Sequence, residues 1–284
     1  VVKGGTPEAS DARTVYGAHK SKQELAIQNG AIGLIEMTLL EEDWWSRISH
    51  FMGESVKIPD AIDTENTTNE FIHLWVNTTS EILEMLADTK MSFEIETDGK
   101  KEETLLTQNV VGVLEGTDPK LKDEYIMYSA HYDHVGIGAP DSEGDTIYNG
   151  ARDNAIGTTA VLSIAENIGK YPTKRSAVFI FFTGEEKGLL GSKYYVKNPL
   201  FPLKQIVYGF NTDGAGYNNT SLATVIGLGR TTAQKHIVAG AKTFGLKAID
   251  DPAPEQGLFD RSDNVSFASV GIPAPTYSTG FDAF

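Results

Sequence analysis

Residues 177–192 read AVFIFFTGEEKGLLGS: an unbroken apolar run, Ala177 to Phe182, followed by two adjacent glutamates between glycines. Apolar side chains at consecutive positions put hydrocarbon on both faces of a strand, which suits a parallel sheet covered by helices rather than a half-solvated one. The same arrangement recurs on either side. Tyr125 to Ala130 leads into His131-Tyr132-Asp133-His134, and Ile206 to Phe210 leads into Asn211-Thr212-Asp213-Gly214. Between them, Thr158 to Ile168 carries Val161, Leu162, Ala165 and Ile168 at helical spacing, a face made to lie on a sheet. The alternation continues through Leu189 to Val196, Thr224 to Leu228, Thr232 to Phe244 and Ala274 to Ser278, with an earlier strand at Asn109 to Leu114. The pattern predicts an α/β fold, a mostly parallel mixed sheet with helices on both faces. In such a sheet the carboxyl ends of the strands line one crevice, so the acidic and histidine clusters are expected to meet there.

Composition narrows the chemistry. The chain has 39 acidic against 24 basic residues, a formal charge of −15, which disfavours a phosphate backbone as partner and favours cations. No nucleic acid is expected. It has no cysteine, so a metal here must be held by imidazole and carboxylate. No apolar run reaches the roughly 20 residues of a membrane span. The length suggests two unequal parts, residues 1–95 and 96–284. In the first part, Lys20 to Asn29 reads as a helix stopped by Gly30 and followed by the strand-like Leu34-Ile35, whereas 41–70 reads as polar and irregular around Trp44-Trp45. That tryptophan pair is expected in packing rather than against substrate. Thr79 to Leu86 reads as a helix capped by Thr79 or Ser80, and Glu96 to Glu103 as a connector.

Each cluster has a bland reading when taken alone. Asp153, in NGARDNA (149–155), has the place of a helix-capping aspartate, and Asp213-Gly214 that of a solvated turn. His131 follows a buried strand, and Asp133 is spaced to reach back to its ring, as a carboxylate that orients a metal-bound histidine. His134 is the alternative ligand, although on an extended segment it points away from His131. Glu185-Glu186 resists the bland reading, because two like charges beside a buried strand are costly without a cation. One of the two can ligate while the other serves a bound water as general base. One imidazole and three carboxylates suit a pair of divalent ions sharing a bridging carboxylate, with zinc preferred by the donor set. Amide hydrolysis is the chemistry such a site supports.

The strings SAHYDHVG (129–136), NGARDNAIGT (149–158), FFTGEEKGLLGS (181–192), NTDGAG (211–216) and RSDNVSFASVGIP (261–273) resemble the co-catalytic zinc exopeptidases of the bacterial leucyl aminopeptidase and glutamate carboxypeptidase type, over about Thr107 to Phe284. That resemblance implies a zinc-dependent aminopeptidase acting on peptides, exported to the periplasm or extracellular space. It implies that His131 and Asp213 hold one zinc, Glu186 helps hold the other, Asp153 bridges both, and Glu185 moves the proton, with a cis peptide bond typical at Asp153-Asn154. Arg261 and Asp263 fall where the family builds part of its substrate pocket. Residues 1 to about 95 resemble a protease-associated domain, a smaller α/β insertion that acts as a lid or specificity element. The family completes its second zinc site with a histidine shortly after a stretch like Tyr277 to Phe281. His19, His50, His73 and His236 do not match it, so the resemblance implies a fragment whose second site has only Asp153 and Glu186. Two further readings stand beside this one: an acyltransferase of the glutaminyl cyclase kind, and a non-catalytic binding ectodomain.

Overall fold

In a computed structural model, which describes residues 1–53, 56, 58, 71–86, 96, 103–138 and 140–283, the helix expected at Lys20–Asn29 begins earlier, at Ala12. Strand β1 (Val2–Lys3), helix α1 (Ala12–Gln28), strand β2 (Gly33–Thr38), helix α2 (Glu42–Gly53), strand β3 (Ile72–Asn77) and helix α3 (Ser80–Leu86) make up the N-terminal unit, Val1–Glu103. The early start has a local cause. The Asp11 carboxylate accepts from the Thr14 amide at 3.1 Å and from its hydroxyl at 2.6 Å, capping α1 before its first turn. Gly30 ends the helix as expected, at φ 75°, with its amide on the Ile27 carbonyl.

The three strands run parallel in the order β1-β2-β3. Val15, Leu40 and Ile48 are buried together, with Trp45 and Trp75 packed against them. The irregular reading of residues 41–70 is corrected over Glu42–Gly53, where α2 forms with Glu42 and Asp43 in its first turn, complementing the helix dipole. Most of 54–70 lies outside the described residues, as does most of the expected connector at 96–103. Of the tryptophan pair, Trp45 packs into this core while Trp44 is exposed. One charged group is fully buried here. Glu36 is held by the Lys22 ammonium at 2.6 Å and by His73 Nε2 at 3.2 Å. The boundary expected at 95/96 falls among residues mostly outside the described set; the two units divide at Glu103 and Thr104.

The second unit, Thr104–Phe284, contains strands β4 (Val110–Leu114), β5 (Tyr125–His131), β6 (Ser176–Phe182), β7 (Ile206–Thr212), β8 (Leu222–Ile226), β9 (Lys247–Ile249) and β10 (Thr276–Tyr277). They form one sheet in the order β4-β6-β5-β7-β10-β8-β9. Helices α4 (Ile156–Lys170), α5 (Leu190–Lys197), α6 (Gln234–Thr243) and α7 (Asn264–Ala268) connect or follow them. The central strands β6, β5 and β7 are parallel, whereas β4 runs antiparallel to β6 and β10 antiparallel to β8. No helix among the described residues is long and apolar enough to cross a membrane.

The continuous apolar run of β6 has the cause read from it. Ala177 and Phe179 pack with Val161 and Ile168 of α4, while Val178, Ile180 and Phe182 pack on the other face with Tyr195 of α5 and Phe267 of α7. Alternate side chains thus serve two separate cores, and neither position can be polar. The chain leaves β5, adds β6 on one side of it and then β7 on the other, so the winding direction reverses at β5. The crevice of an open α/β sheet forms at that reversal, beyond the carboxyl ends of these strands.

Phe182→Ala is expected to cost about 3–5 kcal/mol in urea unfolding, because the ring is completely buried against Tyr195 and Phe267. Val113→Ala on the half-exposed edge strand β4 should stay within about 1 kcal/mol. Equal losses would mean that β6 is not the centre of the core.

Candidate metal centre

His131 is the last residue of β5, Glu185 and Glu186 lie three and four residues beyond the end of β6, and Asp213 follows β7 directly. Asp153 arrives from a different direction, on the five-residue turn Ala151–Ala155 that opens into α4. That turn is pinned to the strand ends. The Asn154 amide group donates to the Thr212 carbonyl at 2.9 Å, its carbonyl accepts from the Gly214 amide at 3.2 Å, and the Thr158 hydroxyl donates to the His131 carbonyl at 3.0 Å. The Asp153-Asn154 peptide bond is cis. Gly157 makes the docking possible, since a Cβ there would lie 2.1 Å from Asn154 Oδ1 and 2.8 Å from the Thr212 carbonyl oxygen.

The geometry then gathers the donors. His131 Nε2 lies 3.1 Å from Asp153 Oδ1 and 3.3 Å from Asp213 Oδ1. Its Nδ1 is 3.1 Å from the Asp133 carbonyl oxygen. A carbonyl only accepts, so Nδ1 carries the hydrogen and Nε2 faces the carboxylates. The backbone of Asp133 therefore does the orienting that its carboxylate was expected to do. That carboxylate is 3.8 Å from Nδ1 and accepts instead from the Glu185 amide at 3.2 Å, anchoring the turn that carries both glutamates.

Two groups of ligand atoms result: His131 with Glu185 and Asp213, and His134 with Asp153 and Glu186, the atoms within each lying inside 4.8 Å of one another. Asp153 belongs to the second group and also touches His131 of the first. His134 reaches Glu186, with Nδ1 2.6 Å from Oε1. The donor set of imidazoles and carboxylates without thiolate fits zinc or a similar divalent ion.

The charges of this cluster are shifted strongly. Burial lowers the proton affinity of His131, but the carboxylates of Asp153 and Asp213 outweigh it and raise its pKa to about 12. Burial pushes the Glu185 carboxyl up to about 9; the His131 charge opposes this, and Asp213, Asp263 and Glu186 add to it. Asp153 is held below its ordinary value, chiefly by His131, against the effect of burial. Asp263 has no exposed surface; burial raises it to about 7, against a lowering by the Ser192 side chain. It does not line the cleft, whereas Arg261 does.

The cleft itself has a volume of about 300 Å³. Asp153, Glu185, Glu186 and Asp213 form its acidic side, and Tyr217, Ile226, Leu258 and Phe281 an apolar one. Those four were not legible beforehand, because they come from loops and strand ends without a chemical motif. A buried polar chain supports the floor: Ser129 Oγ donates to Asn211, whose amide donates to Ser262 at 2.8 Å and Thr276 at 3.1 Å, tying β5, β7, β10 and the Arg261 segment together.

A family model described as peptidase family M28 matches residues 109–284. Among curated proteins, the chain is 31% identical over 186 residues to a probable leucine aminopeptidase 2 of Aspergillus oryzae, covering 63% of this chain and 35% of that protein. It is 29% identical over 177 residues to aminopeptidase YwaD of Bacillus subtilis, covering 61% and 36%. The chain thus spans about a third of the length of these relatives. Among solved structures, a zinc aminopeptidase from Bacillus subtilis aligns with TM-score 0.53 at 21% identity, over 92% of this chain and 56% of that one. An aminopeptidase from Aneurinibacillus sp. strain AM-1 aligns with TM-score 0.57 at 22% identity, over 90% and 57%. At that identity these two show the fold.

The metal-free protein should lose stability as pH rises. Glu185, Asp263 and His131 keep protons in the folded state, with pKa values of about 9, about 7 and about 12, that the unfolded chain releases near its ordinary 4.5, 3.8 and 6.5. Each contribution falls away between its unfolded and its folded pKa, so the melting temperature in chelator should drop by several degrees from pH 6 to pH 9. Saturating zinc, which needs deprotonated ligands, should raise it more at pH 9 than at pH 6. A flat profile with and without zinc would contradict this account of the cluster.

Proposed function

The chain belongs to peptidase family M28, and on that premise we propose that it is a zinc-dependent exopeptidase, an aminopeptidase acting on peptides. The observation that carries the reading is the convergence of His131, Asp213, Asp153 and Glu186 beside Glu185 at the reversal point of the sheet. His131 and Asp213 would hold one ion and Glu186 a second, with Asp153 placed to serve both. When bound, such ions polarise the scissile carbonyl and lower the pKa of a shared water toward about 7.

The protein's own groups do the rest. Glu185 takes the proton of the attacking water and passes it to the nitrogen of the leaving amine, the role of a general base beside the candidate metal ligands. Asp133 keeps Glu185 in place through the Glu185 amide and His131 in its tautomer through its own carbonyl. The curated relatives named as aminopeptidases support a substrate presenting a free α-ammonium group over one presenting a terminal carboxylate. Tyr217, Ile226, Leu258 and Phe281 take the substrate's first side chain, and Arg261 its backbone carbonyl; Asp263 supports this wall from behind. By resemblance to the family we also assign the N-terminal unit as protease-associated-like and the site of action as outside the cytosol.

Glu185→Gln should lower kcat by about 10²–10⁴-fold, the usual worth of a general base, while bound zinc stays unchanged by elemental analysis. Turnover retained in that variant would remove Glu185 from the mechanism. Acetylating the substrate's amino terminus should abolish cleavage, and amidating its carboxyl terminus should not; the opposite pattern would overturn the aminopeptidase assignment.

A further inference from the structure

The wall proposed to receive the substrate's first side chain and carbonyl is built partly from one short turn, Leu258–Arg261. We infer that Arg230, acting through the ring of Phe259, is a positioning residue that sets where Leu258 and Arg261 stand, and so which first side chains the cleft accepts. This rests on the exopeptidase reading and deepens it, because Arg230 does not line the cleft and belongs to none of the motifs.

Three observations lead to that residue. First, the turn serves two spaces. Leu258 and Arg261 line the cleft of about 300 Å³, whereas Phe259 and Asp260 line a second cavity of about 340 Å³. Both spaces reach Ile226, so this side chain and the turn form the partition between them. A wall with open volume behind it is not fixed by close packing on that side.

Second, a different segment holds the ring. The Arg230 guanidinium lies over Phe259, with Cζ 3.9 Å from the ring centroid. Gly227, at φ 92°, lets the same ring come close, since a Cβ there would fall 2.6 Å from its Cε2. The Phe259 carbonyl accepts from Asn264 Nδ2 at 3.0 Å. The backbone of the turn is therefore tied to α7, and its aromatic end to Arg230.

Third, the segment that carries Arg230 is itself fixed. One carboxylate oxygen of Asp250, directly after β9, accepts from the amides of Gly227 at 2.8 Å and Leu228 at 3.2 Å, and the other from Gly229 at 2.8 Å. The carboxylate fills the amide cradle that an outside anion would otherwise use. The Arg230 amide closes the turn on the Gly227 carbonyl at 3.0 Å. None of these bonds uses the Arg230 side chain, so its removal leaves the anchor in place and releases only the ring. Phe259 can then move toward the cavity behind it, Leu258 recedes, and the cleft widens.

Steady-state kinetics of the full-length, zinc-loaded enzyme on alanyl, leucyl and phenylalanyl p-nitroanilides, with a crystal structure of the variant, test this. Arg230→Ala should raise the ratio of kcat/KM for the phenylalanyl over the alanyl substrate by about 3- to 10-fold, the worth of one partly exposed cation–π contact, and chiefly through KM. Arg230→Lys keeps a cation above the ring and should restore most of the wild-type ratio. A loss of folded protein lowers every substrate in proportion and leaves the ratio unchanged, which separates positioning from stability. An unchanged ratio in Arg230→Ala overturns the inference, as does a shift in Arg230→Lys equal to that in Arg230→Ala. A crystal structure of Arg230→Ala with the 258–261 turn unmoved also overturns it. Wild type that cleaves none of these substrates overturns the exopeptidase reading instead, and the crystal structure then still decides whether Arg230 positions the turn.

Discussion

Packing carboxylates against one another at the edge of a hydrophobic core is the constraint around which this protein is arranged. Asp153, Glu185, Glu186 and Asp213 line one cleft, with Asp133 and the fully buried Asp263 close behind. Left to themselves these groups repel and resist ionisation, which is why Glu185 and Asp263 hold their protons well above the ordinary carboxyl range and His131 keeps its own so strongly. A divalent cation at the same place would offset the repulsion among the cleft carboxylates. Metal affinity and apo-state strain are two aspects of the same charge distribution.

The scaffold makes that distribution possible by separating the task of supporting the site from that of forming it. The strands β5, β6 and β7 carry apolar residues on both faces and bring their ends to one line. The polar atoms beneath the site are satisfied among themselves through Asn211, Ser129, Ser262 and Thr276. Asn154 and Gly157 then dock the Asp153 turn onto that line, one by hydrogen bonds to both sides of Asp213, the other by having no side chain.

Membership in peptidase family M28 fits the division of the cleft into an acidic side and an apolar one. The lining by Tyr217, Ile226, Leu258 and Phe281 offers shape rather than charge, and a contact of that kind separates side chains mainly by size.

Much of this was readable from residue order. Consecutive apolar runs ending in Asp, Glu or His announced a parallel sheet with its chemistry at the strand ends, because burial on both faces leaves no other pattern for β6. The candidate groups His131, Glu186 and Asp213 were legible because charged side chains directly after buried strands are costly without a partner, whereas Asp153, on the turn before α4, stood out through the resemblance. Local signals were enough for the stop at Gly30, and were overlooked for α2, whose acidic first turn lies within a polar stretch. What residue order determined, then, was the fold class and the identity of the charged groups, both consequences of periodicity and solvation along the chain. The tertiary structure alone decided that His134 meets Glu186, that Asp133 orients His131 through its carbonyl, that Asp263 is sealed away from the cleft and which apolar residues wall it. Apart from the local contact of Asp133 with His131, those are distances between segments remote in sequence, and they follow from how the strand ends and the turn at Asp153 pack in space.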